Sequence, residues 1–279
     1  MIDTLIFYYT NYPTIRYSTV VLALVSLCAA LLGVSLVLKR FSMIGDGLSH
    51  VAFGATAIAT ALSFAPMYVA LPLTVAAAIL LLRIRSSTRI QGDAAIAMIS
   101  AGSLAFGYMI LNLFPSKSSS ISGDACSSLF GSASIIGIKK SDVLLCAVIA
   151  IVVLFVFVFF YNKIFAVTFD ENFARATGTR SELYNTLLAA ITGIVIVIAM
   201  NMVGALLISA LITFPALSAM RVFRTFKSVV ICAAVIAVSC ALAGTLICIL
   251  ASTPVGPTIA IANIAVFGAF CLTGKVLKH

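Results

Sequence analysis

The stretch that decides the fold is IGDGLSHVAFGATAIATALSFAPMYVALPLTVAAAILLL, residues 44–82. Its uncharged part, residues 51–82, is 32 residues long. A membrane-spanning helix needs about 20 apolar residues at about 1.5 Å of rise each, so this length is too great for one ordinary span and short for two. The SFAP segment, residues 63–66, supplies the serine and proline at which a helix pair can reverse. If two helices are built here, the first must begin near Ile44, which draws Asp46 and His50 into the helix itself.

The rest of the chain reads more simply. Its residues are 63% hydrophobic and 9% charged, with a mean hydropathy of +1.23, against about 45–50% and about 25% in soluble domains. The chain is therefore an all-α, polytopic transmembrane bundle. Uncharged runs give one span each at residues 17–38, 94–116 and 143–162. Residues 183–220 give two, with MNMVG around Asn201 as the turn. Residues 228–274 also fold back, at the prolines and glycine of TPVGP, 253–257. The total is eight spans if 51–82 is one helix and nine if it is two.

Cytoplasmic loops carry the excess of Lys and Arg. A nine-span chain with its N-terminus outside places 13 of the 17 basic residues inside, and an eight-span chain places 12 inside. The two models differ over Lys39 and Arg40, and they put Asp46 and His50 at opposite faces. Both make a segment at about 163–182 cytoplasmic. The net charge of +9 thus follows from topology, and no basic-aromatic motif for nucleic acid occurs. The start, MIDTLIFYYTNYPTIR, lacks a basic n-region, so no cleaved leader is expected. Of the seven cysteines, none forms a CxxC pair and six lie in apolar spans, where a small buried role is expected.

Asp46 and His50 stand out because the chain has only eight acidic residues and two histidines. Four apart on a helix, they share one face, and Ser49 sits beside them. A carboxylate with a neutral imidazole suits Mn²⁺, Fe²⁺ or Zn²⁺. Asp46 near a helix start is also favoured by the helix dipole, but ionisable groups at membrane depth cost about 2.5–3.5 kcal/mol on the insertion scale and usually line a pathway. The pair supplies two ligands, so water, carbonyls or other helices must complete a site.

Five segments carry a family resemblance. KRFSMIGDGLSHVAFGATAIA at 39–59, GDAAIAMISAGSLAFGYMIL at 92–111, SSLFGSASIIGIKKSDVLL at 127–145, FDENFARATG at 169–178 and MVGALLISALITFPALSAM at 202–220 occur in that order. They resemble the permease family of ABC importers for manganese, zinc and iron, with weaker similarity through 253–270. The sequence departs from the family in having Gly47 for the common alanine and Gly92 for an acid, with Asp93 retained.

The resemblance implies a type II ABC importer-like permease occupying residues 1–279 as one domain, in a bacterial-type cytoplasmic membrane and paired with a second copy of itself. It implies that Asp46 and His50 handle the ion, which is cargo and not a cofactor. It also implies that a short cytoplasmic coupling helix engages a separate ATPase subunit. The residues fit this: Phe173 and Ala174 insert into a groove on the partner, Asp170 and Glu171 stand at the helix start, Arg175 lies within it, and Gly178 ends it. No GxxxxGK[ST] phosphate loop occurs, so the chain is not expected to be an enzyme. An extracytoplasmic metal-binding protein is implied too, with the Ser-rich stretch 114–128 the candidate docking loop. A secondary transporter is the alternative, which should carry more intramembrane carboxylates. An intramembrane metal hydrolase needs three ligands and a base, and no HExxH is present.

Overall fold

The computed structural model describes residues 2–84, 92–114 and 137–276. Residues 115–136, which hold nearly all of the Ser-rich docking candidate and part of the third resembling segment, lie outside the described residues, as do Arg85 and Arg89. Twelve helices are described: α1 (Ile2–Asn11), α2 (Pro13–Leu38), α3 (Ile44–Ala61), α4 (Pro66–Ile84), α5 (Gly92–Leu113), α6 (Lys140–Phe159), α7 (Tyr161–Phe169), α8 (Glu171–Ala176), α9 (Ser181–Val203), α10 (Ala205–Val222), α11 (Phe226–Ala251) and α12 (Val255–Val276).

The stretch 44–82 forms two helices. α3 ends at Ala61, Ser63 adopts a left-handed φ of 58°, and Pro66 opens α4, where its missing N–H leaves no helical bond unmade. The single-helix reading is thereby overturned. Among the described residues eight helices are long and apolar enough to cross a membrane, and α3 is not one of them. It has 18 residues, about 27 Å, and the polar pair lowers its hydropathy. Lys39 donates a hydrogen bond from Nζ to Asn185 Oδ1, and Asn185 lines a cavity with Arg83 and Arg175. Lys39 and Arg83 therefore lie at one end of the bundle, with α3 and α4 between them as an outgoing and a returning helix.

The helix α2 is central, packed against α6, α9, α10 and α11, while α3 lies against α4, α5 and α10. Small residues set these approaches, the usual device where lipid and protein are equally apolar. A Cβ built on Gly33 of α2 lies 2.1 Å from the Ile212 carbonyl oxygen of α10, and one on Gly54 of α3 lies 2.8 Å from the Ser103 carbonyl oxygen of α5. The family departure at Gly47 also has a local reason, since an added Cβ there meets Ile96 Cγ2 at 2.5 Å.

The reversal expected around Asn201 occurs at Gly204. Its φ of 91° is one that only glycine takes readily. Asn201 stays helical and donates to the Val197 carbonyl at 2.9 Å. At the basic end, the Phe226 ring opens α11 between Tyr161, Phe165 and Phe169, with centroids 5.4–6.0 Å away. This aromatic cluster holds α7, and with it the short α8, against the bundle.

Candidate functional site

Asp46 lies in the first turn of α3, one turn below His50, and the His50 Nε2 to Asp46 Oδ1 distance is 3.5 Å. That spacing matches the edge of a tetrahedron: two donors each about 2.1 Å from one ion are about 3.4 Å apart. His50 is 16% exposed and Asp46 32%. The second imidazole nitrogen, Nδ1, is buried and has no hydrogen-bond partner among the described residues, so the ring is not held by the second-shell acceptor usual for a resident metal ligand. Ser49, expected beside the pair, is fully buried and its hydroxyl donates to the Asp46 carbonyl at 2.8 Å. It is not free to join the site.

The pair begins a stripe. Asp46, His50, Phe53, Thr56 and Thr60 are the half-buried residues that recur along one face of α3, while Gly45, Leu48, Ser49, Ala52, Ala55 and Ala59 are buried. Beside it, Ser209, Thr213, Leu217 and Met220 form a half-buried face of α10. The two faces are joined at the start of α3. A Cβ built on Gly45 would lie 3.3 Å from Ser209 Cα, and Thr213 Oγ1 donates to the Ser42 carbonyl at 3.1 Å.

This contact seats the start of α3 against α10. Ser209 is about 6 Å along α10 from its Gly204 end, at about 1.5 Å per residue. The turn of residues 39–43, with Arg40 at a left-handed φ of 62°, carries the chain from α2 to it. Sequence reasoning saw the basic pair only as topology and missed Lys39, 6% exposed and bonded to Asn185, as well as Ser42, Ser209 and Thr213. The one available signal was a lysine and an asparagine at opposite ends of two apolar runs.

The second candidate region is α8. Asp170 caps it, accepting from the Phe173 N–H at 2.9 Å. At its other end Gly178 has φ 81°, and the Thr179 N–H donates to the Ala174 carbonyl at 2.9 Å, closing the helix as the sequence led one to expect. Arg175 lies 3.5 Å from Glu171 and 3.9 Å from Glu182. Phe173 projects outward at 64% exposure, but Ala174 is 0% exposed. The expectation that both insert into a partner is corrected for Ala174. On this one-and-a-half-turn helix it faces its own chain, and of the two only Phe173 is presented. Two cavities, about 610 and 390 Å³, lie between α8 and the bundle and share Leu82, Glu171, Arg175 and Asn185.

Among the described residues no three His, Cys, Asp or Glu side chains are grouped to hold a metal. The Asp46 and His50 pair is thus two donors on a half-buried face, joined by no further His, Cys, Asp or Glu among the described residues.

Comparison with known proteins gives these features a context. The family model described as the ABC 3 transport family matches residues 11–273. The high-affinity zinc uptake system membrane protein ZnuB of Haemophilus influenzae is 27% identical over 242 residues, 87% of this chain and 90% of that one. The chelated iron transport system membrane protein YfeC of Yersinia pestis is 32% identical over 227 residues, 80% and 74% of the two chains. In fold, the chain is similar to PsaBC from Streptococcus pneumoniae, solved in complex with Fab. The TM-score is 0.82 at 24% identity, covering 97% of this chain and 95% of that one.

Proposed function

The chain belongs to the ABC 3 transport family, and from that premise we propose that it is the multi-pass permease subunit of an ATP-driven importer in a bacterial-type cytoplasmic membrane, carrying a divalent transition metal such as zinc, iron or manganese. The relatives named for zinc and iron uptake support the cargo class, and the carboxylate and imidazole chemistry of the pair fits it. The observation that carries the reading is the pairing of Asp46 and His50, 3.5 Å apart on the half-buried face of α3 in an otherwise apolar helical bundle.

Two donors do not close a coordination shell, which for zinc takes four. A second copy of the chain, related by a twofold axis along the open face of α3, brings the same aspartate and histidine and completes a four-donor site. Such a site is held by no second-shell bond to His50 Nδ1 and can be dismantled when the two copies rock apart. For a transported ion this is an advantage, because binding must also permit release. The stripe from Asp46 to Thr60 is then the wall along which the ion moves.

Energy comes from an ATPase on a separate chain, which grips α8 with Phe173 inserted in its surface. Asp170 and Gly178 fix the two ends of α8, and Arg175, Glu171 and Ala174 brace it on the bundle, so a push on Phe173 moves a pre-formed part. An extracytoplasmic metal-binding protein delivers the ion to the opposite face. The chain works as a single permease domain and does no covalent chemistry itself.

Reconstitution into proteoliposomes with and without the ATPase subunit tests this reading. Metal uptake should require both the ATPase and ATP. Uptake by this chain alone, driven by a proton gradient, would assign it to the secondary transporters instead.

A further inference from the structure

One internal feature plays no part in this reading of transport. Cys28 of α2 and Cys146 of α6 are both buried, and both line a cavity of about 10 Å³ walled otherwise by Leu24, Val25, Ile149, Val195, Ile198 and Ala199. That is room for about one water-sized particle. Cys146 Sγ lies 3.4 Å from Met202 Sδ of α9, so two thiols line one small void and a thioether from a third helix touches one of them. Both thiols are free. The rest of the wall is apolar, so water has no partners there beyond the two thiols, whereas a soft ion has both thiols with the Met202 thioether beside Cys146.

We propose that Cys28, Cys146 and Met202 form a binding site for a soft, thiophilic divalent cation of the cadmium and zinc class, distinct from the Asp46 and His50 pair. Charge selects the valence. Each thiol gives up its proton to solvent as its sulfur binds, and two thiolates with one divalent cation are neutral overall. That is the only charge state an apolar membrane interior tolerates cheaply. Thioether sulfur adds a third, uncharged ligand of matching softness. Hard Mn²⁺ is not held by such a set. Met202 is half-buried and ends α9 beside Gly204, so the entry path is from that end of the bundle.

Occupation ties α2, α6 and α9 to one another, and α2 and α9 flank the helices that carry the transport face. A soft ion bound here is therefore expected to slow transport without competing at Asp46. This last consequence rests on the transport reading, but the binding site does not.

The test is a Cd²⁺ titration of the purified full-length chain, read by the thiolate-to-cadmium charge-transfer absorbance and by alkylation of each cysteine followed by mass spectrometry. Cd²⁺ is expected to protect Cys28 and Cys146 together, with one equivalent bound and two protons released, while Cys240 and Cys248 are unprotected and Mn²⁺ protects none. Cys28→Ala with Cys146→Ala should remove that equivalent, and Met202→Leu should weaken it while leaving the band. A Cys240→Ala, Cys248→Ala control should keep it. Equal Cd²⁺ binding after loss of Cys28 and Cys146, or alkylation of both cysteines unaffected by Cd²⁺ in the unmutated chain, overturns the site. Because neither readout needs the ATPase or uptake, a failure here is separable from a failure of the transport reading.

Discussion

The start of α3 and the short helix α8 are built in opposite ways. α8 satisfies itself: Asp170 caps one end, the Gly178 turn closes the other, and Arg175 is braced by Glu171 and Glu182. α3 begins without any side-chain cap, and its Asp46 and His50 share an open face on which the Nδ1 of His50 has no partner among the described residues. A self-contained element suits a part that another protein must grip and push. An element left with unsatisfied donors suits a part whose partners arrive from outside, here an ion and a second copy. The difference divides the proposed machine into a lever and half of a site.

Removing the donors should break that comparison most strongly. Asp46→Ala or His50→Ala is expected to bring ATP-dependent metal uptake to background while the complex with the ATPase still assembles, as read by co-purification. Uptake at the unmutated rate in both variants would remove the site assignment. Next in size is the frame beneath α3. Gly33→Ala places a Cβ 2.1 Å from a backbone oxygen of α10, an overpacking that costs about 1–3 kcal/mol. A fall in the thermal stability of the detergent-solubilised chain checks it, and an unchanged melting temperature would show that α2 and α10 can part freely.

The lever should respond more gently. Asp170→Ala deletes the cap of α8, worth about 0.5–2 kcal/mol, and should weaken ATPase association without altering metal binding. If metal binding falls as much as ATPase binding, the two regions are not separate. Smallest of all is Arg175→Gln. Its ion pairs are long and more than half exposed on the arginine side, a class worth about 0–1 kcal/mol. A loss of ATPase association as large as that of Phe173→Ala would mean that Arg175 touches the partner directly.

Much of this division was legible in the sequence, and the part that was not has a physical reason. Splitting 44–82 into two helices needed only span length and the turn chemistry of residues 63–66, which are local. Both ends of α8 were readable from Asp170 and Gly178 for the same reason. Its inward face was not, because a helix of six residues is too short for periodicity to say whether Phe173 or Ala174 faces the bundle. The reversal within MNMVG, residues 200–204, was legible as well, though not which residue makes it: Gly204 turns the chain, while Asn201 is satisfied within the helix by its bond to the Val197 carbonyl. Where Asp46 and His50 sit against the other helices could not be read at all. It depends on the path of residues 39–43, and that path is held by Thr213 on a helix 171 positions away in the chain. Sulfur from Cys28, Cys146 and Met202 meets for a similar reason, through packing of three helices that no spacing rule connects.

The half-site claim is tested most directly by counting manganese. Mn²⁺ is hard enough to avoid the sulfur cluster, and its paramagnetic resonance reports bound ion in the assembled complex of permease and ATPase. A site shared between two copies binds one Mn²⁺ per two permease chains, and His50→Ala abolishes that binding. One Mn²⁺ per chain, or full binding retained in His50→Ala, contradicts it.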